Sequence, residues 1–205
     1  MQAAMTRADL ALLLAFDGSA SVTYEEFDLI AYGTAQALRS DAVADALVGD
    51  GRTAFAAVLL FSGPDAQVLA VGWTALDSGA ALSVFSHRVG EMSRAVRPGT
   101  TALGSALLAA EVALGQLPGS VSRRVVDVAG DGRSNDGPPP TPIRDRLVAG
   151  GVVINGLCVL HNEPDLVASY SREVVGGAGS FAAETPDFSG FAAAMARKLA
   201  QEAMV

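Results

Sequence analysis

The stretch L-A-L-L-L-A-F-D-G-S-A-S, from Leu10 to Ser21, decides how this chain is read. Seven apolar residues, Leu10 to Phe16, end abruptly in Asp17, and Gly18 closes the run. Such a run is too short for a buried helix and has the length of a strand covered on both faces of a parallel sheet. In open parallel sheets ligands gather beyond the carboxyl ends of the strands. Asp17, Ser19 and Ser21 therefore stand where such a fold places its chemistry.

Working outward, Thr23 and Glu26 have the spacing of a capping box, so a helix is expected to start there. Phe27, Ile30, Ala31, Thr34, Ala37 and Leu38 then recur at helical spacing up to about Arg39. Asp41 to Gly51 reads as a connection. Thr53 to Phe61 reads as a second strand, Ser62-Gly63-Pro64-Asp65 as a turn, and Gln67 to Leu76 as a third strand making an antiparallel hairpin with the second. Asp77 is placed to cap a helix carrying Leu82, Phe85, Val89 and Met92 on one stripe. The breaker Arg97-Pro98-Gly99-Thr100-Thr101 precedes another helix with Leu103, Ala106, Leu107, Ala110 and Leu114, for which Thr100 is the expected cap.

Arg124 to Ala129 reads as a strand, with Gly130 to Gly137 as the loop at its end. Pro138 to Pro140 lead into a short helix around Ile143 to Ala149. Val152 to Leu160 is another buried strand, and His161-Asn162-Glu163-Pro164 follows it. A weak helix near Asp165 to Tyr170, an irregular Gly-rich segment with one strand near Phe181, and a final helix on Phe188, Phe191, Met195 and Leu199 complete the chain. Alternating strands and helices predict an α/β domain of three layers, with helices on both faces of a mostly parallel sheet and one antiparallel edge strand.

With 205 residues, 50% of them hydrophobic and 18% charged, the chain is expected to be one globular domain, 1–205, with 1–8 as a flexible N-terminus. A net charge of -8 opposes binding to nucleic acid or to an anionic membrane surface, and favours a divalent metal or a cationic partner. No apolar stretch approaches the roughly 20 residues that cross a bilayer. The segment before Asp17 lacks the layout of a signal peptide. The expected compartment is cytoplasmic, or periplasmic or secreted if a leader preceded Met1. The single cysteine, Cys158, lies in an apolar run and reads as a small core residue. Trp73 also reads as core. Lys198 is the only lysine, and the basic residues are scattered as on a solvated surface. Oligomeric state leaves no mark on the sequence.

Three strand-end or helix-start loops hold oxygen donors: Asp17, Ser19 and Ser21, then Thr101, then Asp131. Carboxylates and hydroxyls without His or Cys form a hard-oxygen set suited to Mg²⁺, with Mn²⁺ or Ca²⁺ as alternates, rather than to zinc. Two carboxylates and three neutral hydroxyls leave such an ion drawing a further carboxylate from elsewhere. These residues resemble the von Willebrand factor A domain with its metal-ion-dependent adhesion site. Asp17-Gly18-Ser19-Ala20-Ser21 matches that family's Asp-x-Ser-x-Ser, Thr101 its loop threonine ahead of a helix, and Asp131-Gly132 its Asp-Gly after the fourth strand. Within the family the chain is most similar to a compact bacterial group whose proteins pair such a first motif with a Gly-Asp-Gly loop running into prolines. The resemblance implies that Asp17, Ser19, Ser21, Thr101 and Asp131 hold a cation that captures a carboxylate of a partner protein, and it implies no catalysis.

Other readings of the same residues are open. Ser19 and Ser21 also suit a simple turn, and Asn135 and Asp136 are second-layer supports of the site or plain turn formers. His161, Asn162 and Glu163 rim the predicted edge, and His87 reads as a surface histidine. A metal-free scaffold would use the same groups as hydrogen-bond partners. The loop from Gly130 to Asp136 also resembles that of haloacid-dehalogenase-type phosphotransferases, with Asp17 as nucleophile. That chemistry needs a second Asp where Ser19 stands and a lysine near the phosphate. A dinucleotide site lacks its G-x-G-x-x-G, and a serine hydrolase lacks its elbow and histidine.

Overall fold

The computed structural model describes residues 7–204, and the opening apolar run is its central strand. β1 (Arg7–Asp17) is buried without a break from Leu10 to Asp17. Its alternation decides the layers. Leu10, Leu12, Leu14 and Phe16 face one hydrophobic core, whereas Leu13 and Ala15 face the other. β2 (Ala54–Phe61), β4 (Ser120–Gly130) and β5 (Val152–Val159) divide their side chains in the same way. With β3 (Gln67–Leu76) and β6 (Ala182–Thr185) they form one sheet in the order β3-β2-β1-β4-β5-β6. Only β3, at the edge, is antiparallel to its neighbour.

The first core is closed by α1 (Tyr24–Leu38), α2 (Asp41–Val48), α3 (Gly79–Gly90) and α7 (Phe191–Met204). The second is closed by α4 (Leu103–Leu114), α5 (Pro140–Ala149) and α6 (Leu166–Glu173). From β1 the chain leaves to one side for β2 and later returns on the other side as β4. The strand order therefore reverses between β1 and β4, and the crevice beyond their carboxyl ends is where such sheets bind ligands.

Several expectations are corrected. Arg7 and Ala8 are not a free terminus but open β1, paired with Ser120 and Val121, while residues 1–6 lie outside the described residues. Asp41 to Gly51 is not a plain connection: Val43, Ala46 and Leu47 make a buried stripe at helical spacing, which is enough for α2, and a single 3-10 turn follows. The cap of α3 is Ser78 rather than Asp77, since the Ser78 hydroxyl accepts from the Ala81 N–H at 3.2 Å, and Met92 falls beyond the helix end. α5 begins at Pro140, three residues before the expected start, because proline suits a first helical turn whose N–H groups have no partner anyway. β4 begins at Ser120 because its early residues pair with the start of β1. Trp73 is half-buried, with its indole N–H donating to the Ala113 carbonyl at 2.8 Å.

Lys198 is the largest departure, for it is buried rather than solvated. Its ammonium lies 2.5 Å from Asp127 Oδ1 of β4 and also pairs with Glu202, one turn further along α7. Asn155 of β5 donates to Glu202 at 2.7 Å and accepts from the Phe181 N–H at 3.0 Å. Burial alone would push Lys198 down, but the two carboxylates more than offset it and its pKa is raised. A cross-linked polar cluster thus sits inside the first core, between α7 and the sheet.

Candidate functional site

Three loops meet over the β1–β4 crevice. In the first, Asp17 Oδ1 accepts from the Ser19 N–H at 2.7 Å, which folds the chain into a tight turn directly after the strand. That turn points the Ser19 and Ser21 hydroxyls at each other, 3.1 Å apart. Ser21 in turn donates to Asp131 Oδ1 at 2.8 Å, joining the first loop to the one that follows β4. The Thr101 hydroxyl borders the same loop, since a Cβ added to Gly132 would lie 3.6 Å from it. The structure therefore brings Asp17, Ser19, Ser21, Thr101 and Asp131 into one place. Asp17, Ser19, Thr101 and Asp131 are buried, and Ser21 is exposed at the mouth.

Neighbouring segments hold the three loops in register. The Ala20 N–H donates to the Gly99 carbonyl at 2.9 Å, and Arg94 donates to the Val22 carbonyl while its guanidinium lies 4.0 Å over the Tyr24 ring. Asn135 brackets Thr101: its Oδ1 accepts from the Thr101 N–H at 2.8 Å, and its own N–H donates to the Thr101 carbonyl at 2.9 Å. Thr100 is not the cap of α4. Its hydroxyl donates to Asp136 at 2.8 Å, and the first free N–H of that helix, on Leu103, goes to the Ser134 hydroxyl at 3.2 Å. Asn135 and Asp136 are thus supports of the threonine loop rather than mere turn formers. At the rim, Glu163 binds the Arg133 side chain at 2.7 Å and its N–H at 3.2 Å. His161 is exposed, and His87 lies on the surface 3.3 Å from Glu91.

The electrostatics of the two aspartates follow from this packing. Asp17 Oδ2 and Asp131 Oδ2 are buried and have no hydrogen-bond partner. Burial pushes the Asp17 carboxyl up to about 7, against the bonds from Ser19 and with help from the charge of Asp131. Asp131 is raised too, chiefly by burial, which its contacts with Ser21 and Asn162 offset only in part. Unsatisfied buried carboxylate oxygens are costly, and a divalent cation between them and the hydroxyls would remove that cost. The donor set fits such an ion. Among the described residues no group of three or more His, Cys, Asp and Glu side chains is arranged to hold a metal, so any cation here must draw on hydroxyl oxygens.

A pH dependence follows. Between the unfolded value of 3.8 and about 7, folded Asp17 keeps a proton that the unfolded chain has released. Folding then takes up a proton, so stability is lost as pH rises through that window. Asp127 and Asp131, also raised, act in the same direction. Thermal melts in chelator should therefore give a higher Tm at about pH 5 than at about pH 8. A Tm that rises with pH over this range would contradict the burial of Asp17.

Sequence reasoning missed several residues of the site. Ser134 and Arg94 act from loops whose approach to Leu103 and Val22 no local pattern announces. Tyr170 of α6 is fully buried, with its hydroxyl against Gly130, and the sequence marked it only as the end of a weak helix.

The model of a family described as protein of unknown function (DUF1194) matches residues 7–204. No curated protein matches the chain. Among solved structures, proximal thread matrix protein 1 of the mussel byssus is similar at 18% identity and a TM-score of 0.69, over 96% of this chain and 46% of that one. A von Willebrand factor type A protein from Catenulispora acidiphila is similar at 17% identity and 0.65, over 94% and 42%. BatB from Bacteroides thetaiotaomicron is similar at 16% and 0.63, over 96% and 100%. The chain thus spans less than half the length of the mussel and Catenulispora proteins. A further structure of the mussel protein is described with a zinc-occupied MIDAS motif. The likenesses carry the fold and the family model carries the membership: this chain belongs to the DUF1194 family and has the von Willebrand factor A fold.

Proposed function

We propose that the chain is a divalent-cation-dependent protein-interaction module. Asp17, Ser19, Ser21, Thr101 and Asp131 would hold the ion, Mg²⁺ by preference and Mn²⁺ or Ca²⁺ as alternates, and the ion would take a carboxylate from a partner protein. The carrying observation is that two buried carboxylate oxygens, Asp17 Oδ2 and Asp131 Oδ2, have no partner beside the hydroxyls of Ser19, Ser21 and Thr101, the five residues coming from three separate loops. Bound there, the cation supplies a positive centre at the mouth of the crevice. The residues of the chain do the rest. Asn135 fixes Thr101, the Asp17 turn aims Ser19, and Ser21 exposes the open side. The zinc described at the MIDAS of the mussel protein supports a divalent ion at this place in the fold.

The phosphotransferase reading gains nothing from the geometry. Lys198, the only lysine, is locked into the cluster under α7, and Ser19 occupies the position that needs a general acid. Calorimetric titration tests the proposal. Wild type should bind Mg²⁺, and Asp17→Ala should bind at least about 100-fold more weakly, because it removes the charge that a hard cation needs most. Equal binding by both proteins would refute the assignment. Capture of a partner that disappears in chelator would then identify what the ion holds.

A further inference from the structure

The Tyr170 hydroxyl is a buried side-chain group beside the site that the metal set leaves unexplained. Tyr170 is fully buried, yet its hydroxyl has no hydrogen-bond partner. Two glycines admit it. A Cβ added to Gly156 would lie 2.9 Å from the Tyr170 ring, and one added to Gly130 would lie 2.8 Å from the hydroxyl. The Gly130 Cβ would also lie 3.1 Å from both Cβ and Oδ2 of Asp17. The hydroxyl and the unpartnered Asp17 oxygen therefore both crowd the position a Gly130 side chain would take, an approach that only glycine allows. A buried donor and a buried acceptor, each unsatisfied, thus lie against the same glycine.

We propose that Tyr170 is a positioning residue for the cation site, whose hydroxyl donates to Asp17 Oδ2 when Asp17 engages the ion through its other oxygen. This rests on the cation reading given above. The hydrogen bond would fix the rotation of the carboxylate from behind, as a partner of a ligand rather than a ligand itself. A phenylalanine would serve packing equally well at this position, so the hydroxyl is what needs a reason.

Tyr170→Phe tests the proposal. In chelator the variant should melt at or above the wild-type temperature, because it discards an unsatisfied buried hydroxyl and no packing. Its Mg²⁺ affinity by calorimetry should fall about tenfold, the loss of one hydrogen bond to a charged group. Adding Mg²⁺ to wild type should also perturb the near-ultraviolet absorption of one buried tyrosine, a change absent in the variant. Tyr24 and Tyr32, the other two tyrosines, are exposed and should not contribute it. Unchanged affinity, or a fall in affinity accompanied by a lower Tm in chelator, would overturn the positioning role. Failure of wild type itself to bind Mg²⁺ would instead refute the cation reading on which the role depends.

Discussion

Lys198→Met should lower stability by about 3–5 kcal/mol, the cost of leaving buried carboxylates without their cation. For a chain of this size that is a drop in Tm on the order of 10 °C. The substitution keeps the length of the side chain and its packing between α7 and the sheet, so the loss is electrostatic. Asp127 and Glu202 would face each other with no positive charge between them, and Asp127 is already raised by burial and by Glu202 even with the ammonium in place. The deficit should grow with pH. At about pH 5 Asp127 can hold a proton in the folded variant, whereas at about pH 8 the unfolded chain gains by ionising it. Asp127→Asn in the same chain should recover part of the loss, so the two substitutions should be non-additive. A Lys198→Met protein melting within about 2 °C of wild type at both pH values would show that the cluster contributes little.

Gly104→Ala is the second large effect, and here helix propensity and packing point in opposite directions. Gly104 lies in the first turn of α4, where alanine is favoured by about 1 kcal/mol. An added Cβ would lie 2.0 Å from the Pro138 carbonyl oxygen and 2.9 Å from its carbon. Both are backbone atoms at the start of a three-proline run, whose fixed dihedrals leave the carbonyl little room to retreat. Overpacking against such a wall should outweigh propensity and destabilise by about 3 kcal/mol or more. The contact joins α4 to the loop after β4, so its failure should also pull Thr101 away from Asn135 and weaken Mg²⁺ binding. A variant that melts higher than wild type would mean that propensity wins and the contact yields.

Much of the scaffold was legible because its signals are local. The apolar run from Leu10 to Phe16 is a strand buried between two layers, the capping box of Thr23 and Glu26 forms as its spacing predicts, and the β2–β3 hairpin is antiparallel. The missed features are those in which one segment answers another. Ser134 caps a helix from 31 positions downstream, and Arg94 reaches 72 positions back to Val22. Lys198 looked like solvated charge because its partner Asp127, and Asn155, which holds the Glu202 carboxylate beside it, belong to strands whose polar residues gave no reason to meet α7. The oxygen donors of the site were picked out by their chemical type and by a family resemblance; periodicity alone would have left Asn135 a turn former and Tyr170 the end of a weak helix.

By itself, the sequence determined most of the element order and the set of hard-oxygen donors, since apolar runs, capping and residue chemistry are written within a few positions of one another; which residues face which core, and that Asp41 to Val48 forms a helix, came from the fold. The tertiary structure alone decided that Ser21 meets Asp131 across 110 positions, and that one oxygen of each aspartate is buried without a partner. Burial is a property of everything packed around a group, so whether Asp17 holds a proton, a metal or neither depends on contacts that no local stretch of chain contains.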